Sequence, residues 1–228
     1  MASFQIVDDQ PDFVVIDKAP NVNFHDEGDF GQGLFHQVKT ILGLEALYPV
    51  HRLDKITSGL LIFAKNSEAA ATFQQLFSEH KIEKYYLALS TQKPKKKQGL
   101  VKGDMAKSRR GMWKLMRTTE NPAITQFFSY SLGTGKRAYI LKPHSGKTHQ
   151  IRVAMASIGA PILGDPLYSK VESDRGYLHA FALQFEWQEK SFEYELPPVI
   201  GEEFTSTEFS NWLESMVKPW ALAWPKMK

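Results

Sequence analysis

Apolar and polar residues follow two different periods along this chain. Runs rich in β-branched and aromatic residues, some with apolar residues at every second position, predict short strands. The predicted strands cover residues 13–18, 59–65, 82–90, 124–130, 137–142, 177–187 and 191–196. Because Leu132-Gly-Thr-Gly135 joins the fourth strand to the fifth, these two strands predict a β-hairpin.

Helical spacing of apolar residues predicts two helices in the first half of the chain. The first lies between Gly33 and Gly43, with glycine at each end. The second begins at Ser67, whose hydroxyl is expected to cap it. Its predicted apolar face comprises Ala69, Ala70, Phe73, Leu76 and Phe77.

The second half of the chain predicts two further helices. One runs from Thr148, its expected cap, to Ile158, and Gly159 stops it. The other begins behind a capping box formed by Thr205 and Glu208. Its predicted buried residues are Phe209, Trp212, Leu213, Met216 and Val217.

These elements predict an α+β fold, because strands and helices are mixed without strict β-α-β alternation. No glycine-, proline- or serine-rich linker divides the sequence. We therefore expect a single domain over residues 1–228, with a basic insertion near 93–117 and a tryptophan-rich helical tail near 205–228.

Composition narrows the classes of protein. The 43% of hydrophobic residues can form an ordinary core, which argues against disorder. The absence of cysteine excludes disulfides, cysteine–zinc sites and thiol nucleophiles. Residues 1–10 show no signal-peptide pattern, and no apolar run reaches membrane-spanning length. We therefore expect a cytoplasmic protein that does not enter a membrane.

The net charge of +3 is unevenly distributed. Residues 93–117 contain ten lysines and arginines against Asp104 alone, a local charge of +9 that leaves −6 for the remainder. A patch of this kind can face a polyanion such as an RNA backbone, and a solvated loop explains the charge about as well. The cations named as candidates for RNA contact are Lys95, Lys96, Lys97, Arg109 and Arg110.

Two dense polar clusters adjoin segments that are predicted to be buried. The first, His51-Arg-Leu-Asp54, precedes the strand at 59–65. An aspartate at that place suits a nucleophile or base at the mouth of a cleft. A surface turn in which Asp54 and Ser58 bind backbone groups is the alternative.

The second cluster is Pro143-His-Ser-Gly-Lys-Thr-His-Gln-Ile-Arg152, a loop that enters a helix. His149 and Arg152 are three residues apart and so are expected to share a face distinct from the buried one. A helix start that carries Lys147 and these two residues should attract a carboxylate or a phosphate. A capped surface helix with solvated charges remains the alternative.

Five segments, in order over residues 13–187, resemble the RluA class of pseudouridine synthases. The most specific is His-Arg-Leu-Asp-x-x-Thr-Ser-Gly-Leu-Leu-x-Phe-Ala-Lys at 51–65. The others are Val-Ile-Asp-Lys at 15–18, Lys-Tyr-Tyr-Leu-Ala-Leu at 84–89, the segment 146–168 with Gly-Lys-Thr-His-Gln-Ile-Arg, and Leu-His-Ala at 178–180. The first motif begins by residue 13, so we expect a short form without the auxiliary N-terminal RNA-binding domain of many relatives.

The resemblance implies a fold and a catalytic set. The fold would be the pseudouridine synthase catalytic fold, a largely antiparallel mixed sheet with flanking helices and a central RNA-binding cleft. Asp54 would be the catalytic carboxylate and Arg152 its partner. Tyr86 would stack on the target uracil and take part in removing the proton from C5. The period of two places Tyr86 opposite to Tyr85, so that one of the two rings can reach the cleft.

The remaining roles are also implied by the resemblance. Arg52 would fill the gap left by the flipped base, while Lys84, His149 and Leu178 would contact the substrate. Lys147 would join the cations of the insertion on the RNA backbone. No cofactor and no metal are expected, because this isomerisation needs neither redox chemistry nor added energy.

The expected partner is a structured RNA, a stem-loop of rRNA or tRNA, bound by a monomer. Two rival functions remain at this point. An RNA-binding protein without turnover would also use the basic segment, although it would not need Asp54, Tyr86 and Arg152. A base-excising glycosidase also uses a carboxylate, but that class usually employs two, and no second acid accompanies Asp54 in its motif.

Overall fold

The computed structural model describes residues 2–26 and 33–227. The strands are β1 (Phe4–Asp9), β2 (Phe13–Lys18), β3 (Tyr48–Pro49), β4 (Ser58–Ala64), β5 (Glu83–Ser90), β6 (Gln98–Gly103), β7 (Met105–Lys107), β8 (Trp113–Leu115), β9 (Ala123–Ser131), β10 (Arg137–Pro143), β11 (Leu178–Trp187) and β12 (Lys190–Glu195). The α-helices are α1 (Leu34–Ile41), α2 (Ser67–Ser78), α3 (Gln150–Ser157) and α4 (Thr207–Ser215). Short 3-10 turns occur at Arg109–Gly111 and Pro219–Ala221.

The chain divides into two compact units, Met1–Ile82 with Ala180–Pro197, and Glu83–His179 with Pro198–Lys228. In the first unit, β1, β2, β4 and β11 are successive neighbours, β12 pairs with β11, and β3 pairs with β4. Strand β2 is antiparallel to β4, with Val15 opposite Ile62. Both strands are buried along their length, as their continuous apolar runs predict.

Helix α2 completes the core of the first unit. Phe73 is fully buried and stacks on Trp187, with ring centroids 4.5 Å apart, and Phe13 meets both rings edge-on. Burial of large side chains of this kind stabilises a fold by roughly 1.5–3 kcal/mol each. The strand before the Asp54 loop and the strand after it therefore rest on a well-packed layer.

In the second unit, β5, β10, β9 and β6 are successive antiparallel neighbours. The hairpin of β9 and β10 confirms the prediction made from the Gly-Thr-Gly turn. The basic insertion is more ordered than a solvated loop. It contributes β6 to the sheet edge and then forms a separate two-stranded hairpin, β7–β8.

Three predicted helix caps were wrong by one residue. Asn66, not Ser67, caps α2 by accepting the N–H of Ala69 at 2.8 Å. Ser206, not Thr205, caps α4. His149, not Thr148, precedes α3, with left-handed backbone and no side-chain cap. A cap is defined by where the backbone turns helical, and neighbouring polar residues leave that point ambiguous in a sequence.

Burial on two predicted helix faces also differs from expectation. Val217 lies beyond the end of α4 and is 57% exposed, and Met216 follows the last helical residue. Helix α3 is buried from Gln150 through Met155, Arg152 included, so it has no solvated face over those residues. The expectation that Arg152 shares an exposed face with His149 was therefore wrong.

The tryptophan-rich tail packs on the sheet of the second unit. Trp224 lies 5.8 Å from the ring of Tyr85 and 5.1 Å from that of Phe128, while Trp212 lies 5.5 Å from Tyr130. The tail thus covers one face of β5 and β9. Over the described residues, no helix is both long and apolar enough to cross a membrane.

Candidate active site

The Asp54 loop, residues 50–57, connects β3 to β4. Leu53 and Ile56 are each 6% exposed and anchor the loop, whereas Asp54 between them is only half-buried. The N–H of Thr57 donates to the carbonyl of Asp54 at 3.0 Å and closes a tight turn. The loop is therefore fixed by its apolar neighbours while the carboxylate keeps access to solvent.

A buried lysine holds the backbone of this loop. Lys18 is fully buried, and its ammonium donates to the carbonyls of Ala19 at 2.9 Å, Lys55 at 3.1 Å and Thr57 at 2.7 Å. An ammonium group has three donors, and all three are used here. Burial of a charge without such partners would be costly. The sequence placed Lys18 at the end of a strand and in the Val-Ile-Asp-Lys motif but gave it no role, so its contact with the loop was missed.

Gly59, the second residue of β4, permits the close approach of β4 to β11. Its φ is +107°, and a Cβ there would lie 2.3 Å from the carbonyl oxygen of Ala180. Any other residue at this position would displace β4. The glycine of the His-Arg-Leu-Asp motif is therefore required by backbone geometry.

The two residues before Leu53 differ in role. His51 accepts the N–H of Ile62 through Nε2 at 3.0 Å, and its ring lies 5.0 Å from that of Phe77. His51 is thus engaged by the fold. Arg52 is exposed and so is accessible to a ligand.

Strand β5 carries the two tyrosines that the sequence placed on opposite faces. Tyr85 is fully buried, its hydroxyl donates to Glu83, and the Lys142 ammonium lies 5.2 Å from its ring. Burial raises the pKa of Tyr85 well above its ordinary value. Tyr86 is 8% exposed. Tyr85 is therefore on the core side, as expected, beneath the tryptophan-rich tail.

Lys84 precedes this pair on β5. Burial lowers the pKa of its ammonium to about 8, since a low-dielectric environment disfavours the charged form. A lysine whose pKa is lowered this far by burial is a candidate functional residue.

The Arg152 cluster, which comprises His149, Arg152, Asp165 and Tyr168, lies in the second unit. Arg152 donates from Nε to one oxygen of Asp165 at 2.7 Å and from Nη2 to the other at 2.8 Å. The two residues are 4% and 1% exposed. The guanidinium carbon also lies 5.1 Å from the centroid of the Tyr168 ring. The bidentate pair fixes the plane of the guanidinium.

Asp165 was missed by sequence reasoning. It follows the buried Ile162-Leu163 and Gly164, and it accepts the N–H of Leu167 at 2.9 Å and of Tyr168 at 3.2 Å. The Gly-Asp-Pro sequence was a turn signal that could have indicated a carboxylate bound to backbone N–H groups. Its pairing with Arg152 depends on the tertiary structure.

His149 and Lys147 lie at the start of α3. His149 has φ 57°, and its Nδ1 is 3.0 Å from the hydroxyl of Tyr168. The Lys147 ammonium donates to Asn121 at 2.9 Å. Leu178 is 3% exposed, so its side chain lies in the interior. A contact of Leu178 with substrate stays a prediction.

The cations of the insertion fall into two groups. Lys95, Lys96 and Lys97 are exposed in the turn between β5 and β6, whereas Arg109 and Arg110 are exposed in the 3-10 turn at the tip of the β7–β8 hairpin. Strand β6, whose six residues span roughly 17 Å at about 3.3 Å per residue, and strand β7 lie between the two groups along the chain.

The described residues contain no group of three or more histidine, cysteine, aspartate or glutamate side chains arranged to hold a metal ion.

Comparison with known proteins identifies the family. Residues 12–157 match the family model described as RNA pseudouridylate synthase. An RNA pseudouridine synthase of Haemophilus influenzae, labelled uncharacterized, is 55% identical over 185 residues, which cover 80% of this chain and 82% of that protein. The tRNA pseudouridine(31) synthase of Saccharomyces cerevisiae is 32% identical over 74% of this chain and 47% of its own length.

A solved structure agrees with these relatives. Human RNA Pseudouridylate Synthase Domain Containing 1 superposes with a TM-score of 0.70 at 26% identity, covering 86% of this chain and 83% of that one. The family match spans β2, the Asp54 loop, β5 and the whole of α3, and so includes four of the five motif segments in whole or in part. The chain belongs to the RNA pseudouridylate synthase family, as a member of its RluA class, and is an enzyme that isomerises uridine to pseudouridine in RNA.

Proposed function

We propose that Asp54 is the catalytic carboxylate of this pseudouridine synthase, assisted by Arg152 and Tyr86. One observation carries the assignment of Asp54. The loop around it is held rigidly by Lys18, Leu53 and Ile56, yet Asp54 itself remains half-buried and accessible. A carboxylate on a fixed backbone is suited to act at the anomeric carbon of a bound nucleotide.

The isomerisation balances without another reactant. The bond from uracil N1 to ribose C1′ breaks, the base turns, and a bond from C5 to C1′ forms. The base loses its C5 proton and gains one at N1, so no electrons and no group enter or leave. Asp54 would assist departure of the base at C1′, and Tyr86 would stack on the uracil and help to remove the C5 proton.

Arg152 would supply positive charge for the reaction. Its Nε and one Nη are held on Asp165, so the guanidinium is fixed in orientation before RNA binds. Such preorganised charge stabilises a developing anion more than a mobile side chain does. The pairing of Arg152 with Asp54 remains a prediction from the family resemblance.

Substrate binding requires the target uridine to leave its stack, which costs a few kcal/mol. The exposed Arg52 would occupy the gap left by the flipped base. Lys84, His149 and Leu178 would contact the substrate. Because the pKa of Lys84 is about 8, this residue would change charge close to neutral pH.

The RNA backbone would follow the exposed cations. Lys95, Lys96 and Lys97 form one candidate contact, and Arg109 with Arg110 forms the other, while Lys147 lies at the start of α3. We propose a stem-loop of rRNA or tRNA as substrate, bound by a monomeric enzyme in the cytoplasm. The similarity to a yeast protein named as a tRNA pseudouridine synthase supports the tRNA alternative.

The test is direct. Purified protein is incubated with separate tRNA and rRNA fractions, and both pseudouridine and free uracil are measured. We expect pseudouridine without free uracil, since isomerisation returns the base to the same ribose. Release of uracil would instead favour base excision. Mapping pseudouridines in RNA from cells with and without the protein then identifies the position modified.

A further inference from the structure

The tip of the basic insertion is a small independent hairpin. Strands β7 and β8 form a two-stranded sheet with no other strand paired to it within the described residues. Ser108 and Met112 are joined by a backbone hydrogen bond of 2.8 Å, and Arg110 adopts the left-handed conformation at φ 55°. An isolated two-stranded hairpin is marginally stable in water, so this one needs an anchor to hold a fixed position.

Tyr168 provides such an anchor. Its hydroxyl oxygen accepts the N–H of Trp113, in β8, at 2.7 Å, although the two residues are 55 positions apart. The same hydroxyl lies 3.0 Å from Nδ1 of His149. A phenol has one proton to donate, and the Trp113 bond uses the oxygen as acceptor. The hydroxyl therefore contacts the hairpin and His149 at the same time.

The ring of Tyr168 serves a second contact. The ring centroid lies 5.1 Å from the guanidinium carbon of Arg152. The backbone N–H of Tyr168 donates to Asp165 at 3.2 Å. Tyr168 thus contacts the hairpin through its hydroxyl and the buried ion pair through its ring and backbone. Strand β8 also packs against α3, the helix that carries Arg152.

We propose that Tyr168 is a positioning residue that latches the basic hairpin onto the Arg152 cluster. RNA phosphates bound by Arg109 and Arg110 would then be held at a fixed distance from the arginine used in the reaction. Without the hydroxyl the hairpin would move relative to α3, and its cations would contact RNA less effectively. This inference rests on the proposed RNA-binding role of the hairpin.

Substitution Tyr168→Phe separates the two contacts. It keeps the ring against Arg152 and removes the hydroxyl, and with it the acceptor for the Trp113 N–H and the contact with His149. The matched control is Tyr139→Phe, which removes a buried hydroxyl that donates to the carbonyl of Gln92 at 3.0 Å, in a bond to neither the hairpin nor the cluster. We expect amide exchange at Trp113 to accelerate about tenfold in Tyr168→Phe, as for loss of one hydrogen bond, and to be unchanged in Tyr139→Phe.

Binding supplies the second readout. We expect the Kd for RNA to rise about five- to tenfold in Tyr168→Phe. The double substitution Arg109→Gln and Arg110→Gln is then combined with Tyr168→Phe. If Tyr168 acts through the hairpin, the combined loss of affinity is smaller than the product of the separate losses.

The outcomes distinguish the two proposals. Unchanged exchange at Trp113 in Tyr168→Phe overturns the latch and leaves the proposed function intact. Multiplicative losses overturn the coupling between Tyr168 and the hairpin cations. If the Arg109 and Arg110 substitutions leave RNA affinity and its salt dependence unchanged, the hairpin does not bind RNA, and both the latch and that part of the proposed function are wrong.

Discussion

The Asp54 loop and the Arg152 cluster position their charged groups by different means. At the Asp54 loop the backbone is fixed from outside by the ammonium of Lys18, and the carboxylate stays half-buried. In the Arg152 cluster the side chains themselves are fixed, because Arg152 and Asp165 neutralise each other in the interior.

The difference has a physical reason. A buried ion is stable only when an opposite charge and hydrogen bonds replace its lost water, so Asp165 is needed before Arg152 can be placed there. The buried ion pair of the Arg152 cluster therefore contributes to the stability of its unit, whereas the role proposed for the half-buried Asp54 is in the chemical step.

The largest expected effect is on activity at Asp54. Asp54→Asn keeps the shape of the side chain but removes its charge, so pseudouridine formation should fall by at least about 10³-fold, within the range for loss of a group used in the chemical step. The free energy of unfolding should change by less than about 0.5 kcal/mol. Glu45→Gln, an exposed acid of the same unit, is the control. Near-normal turnover by Asp54→Asn would refute its catalytic role.

Asp165 should show the opposite pattern. Asp165→Asn removes the charge of the carboxylate that holds the buried Arg152 guanidinium, which should cost about 3–5 kcal/mol of unfolding free energy, measured by urea denaturation. Adding Arg152→Gln should recover part of that stability but not the activity. A stability close to that of the unaltered protein in the single variant would show that this ion pair is not required by the fold.

The two tyrosines of β5 test whether the faces are assigned correctly. Tyr86→Phe keeps the stacking ring and removes the hydroxyl, so RNA should still bind while turnover falls by about 10²-fold. Tyr85→Phe loses only a bond to Glu83 beneath the tail, and its activity should stay within about threefold. Equal losses of turnover in steady-state assays would mean that the catalytic face of β5 is the wrong one.

For the basic insertion we expect a smaller effect, which concerns RNA binding alone. Replacing Lys95, Lys96 and Lys97 by glutamine should weaken RNA binding and lower the slope of log Kd against log salt by about two units, at roughly 0.7 per phosphate contact on a single strand. The rate for bound substrate should barely change. The Arg109 and Arg110 pair offers the matched comparison, and an unchanged slope in the lysine variant would place the RNA path along the hairpin instead.

The last expected effect concerns Lys84 and the pH dependence of stability alone. Its folded pKa of about 8 lies below its unfolded value of about 10.4, so the unfolded chain binds more protons between these pH values. Stability should therefore rise with pH from about 8 to about 10 relative to Lys84→Met, in which that contribution is absent. Parallel urea midpoints for the two proteins over this range would show that Lys84 is not desolvated in the folded state.

Much of the fold could be predicted from periodicity. Strand β2 was predicted with its observed ends, because a short continuous apolar run flanked by polar residues is typical of a buried strand. The hairpin of β9 and β10 followed from its glycine turn. The helix caps were predicted less well, since Ser67 and Thr205 each have a polar neighbour that can do the same task.

The sequence by itself determined the family and the position of Asp54, because short-range order carries both. The residues of His-Arg-Leu-Asp are consecutive in the chain. Gly59, which follows the motif, is required because β4 approaches the backbone of Ala180 there. Only the tertiary structure decided which residues support that chemistry. Lys18 meets Thr57 across 39 positions, and Tyr168 meets Trp113 across 55. Such contacts depend on how distant strands are brought together in space. Charge and periodicity along the chain do not show which residues far apart in sequence will meet.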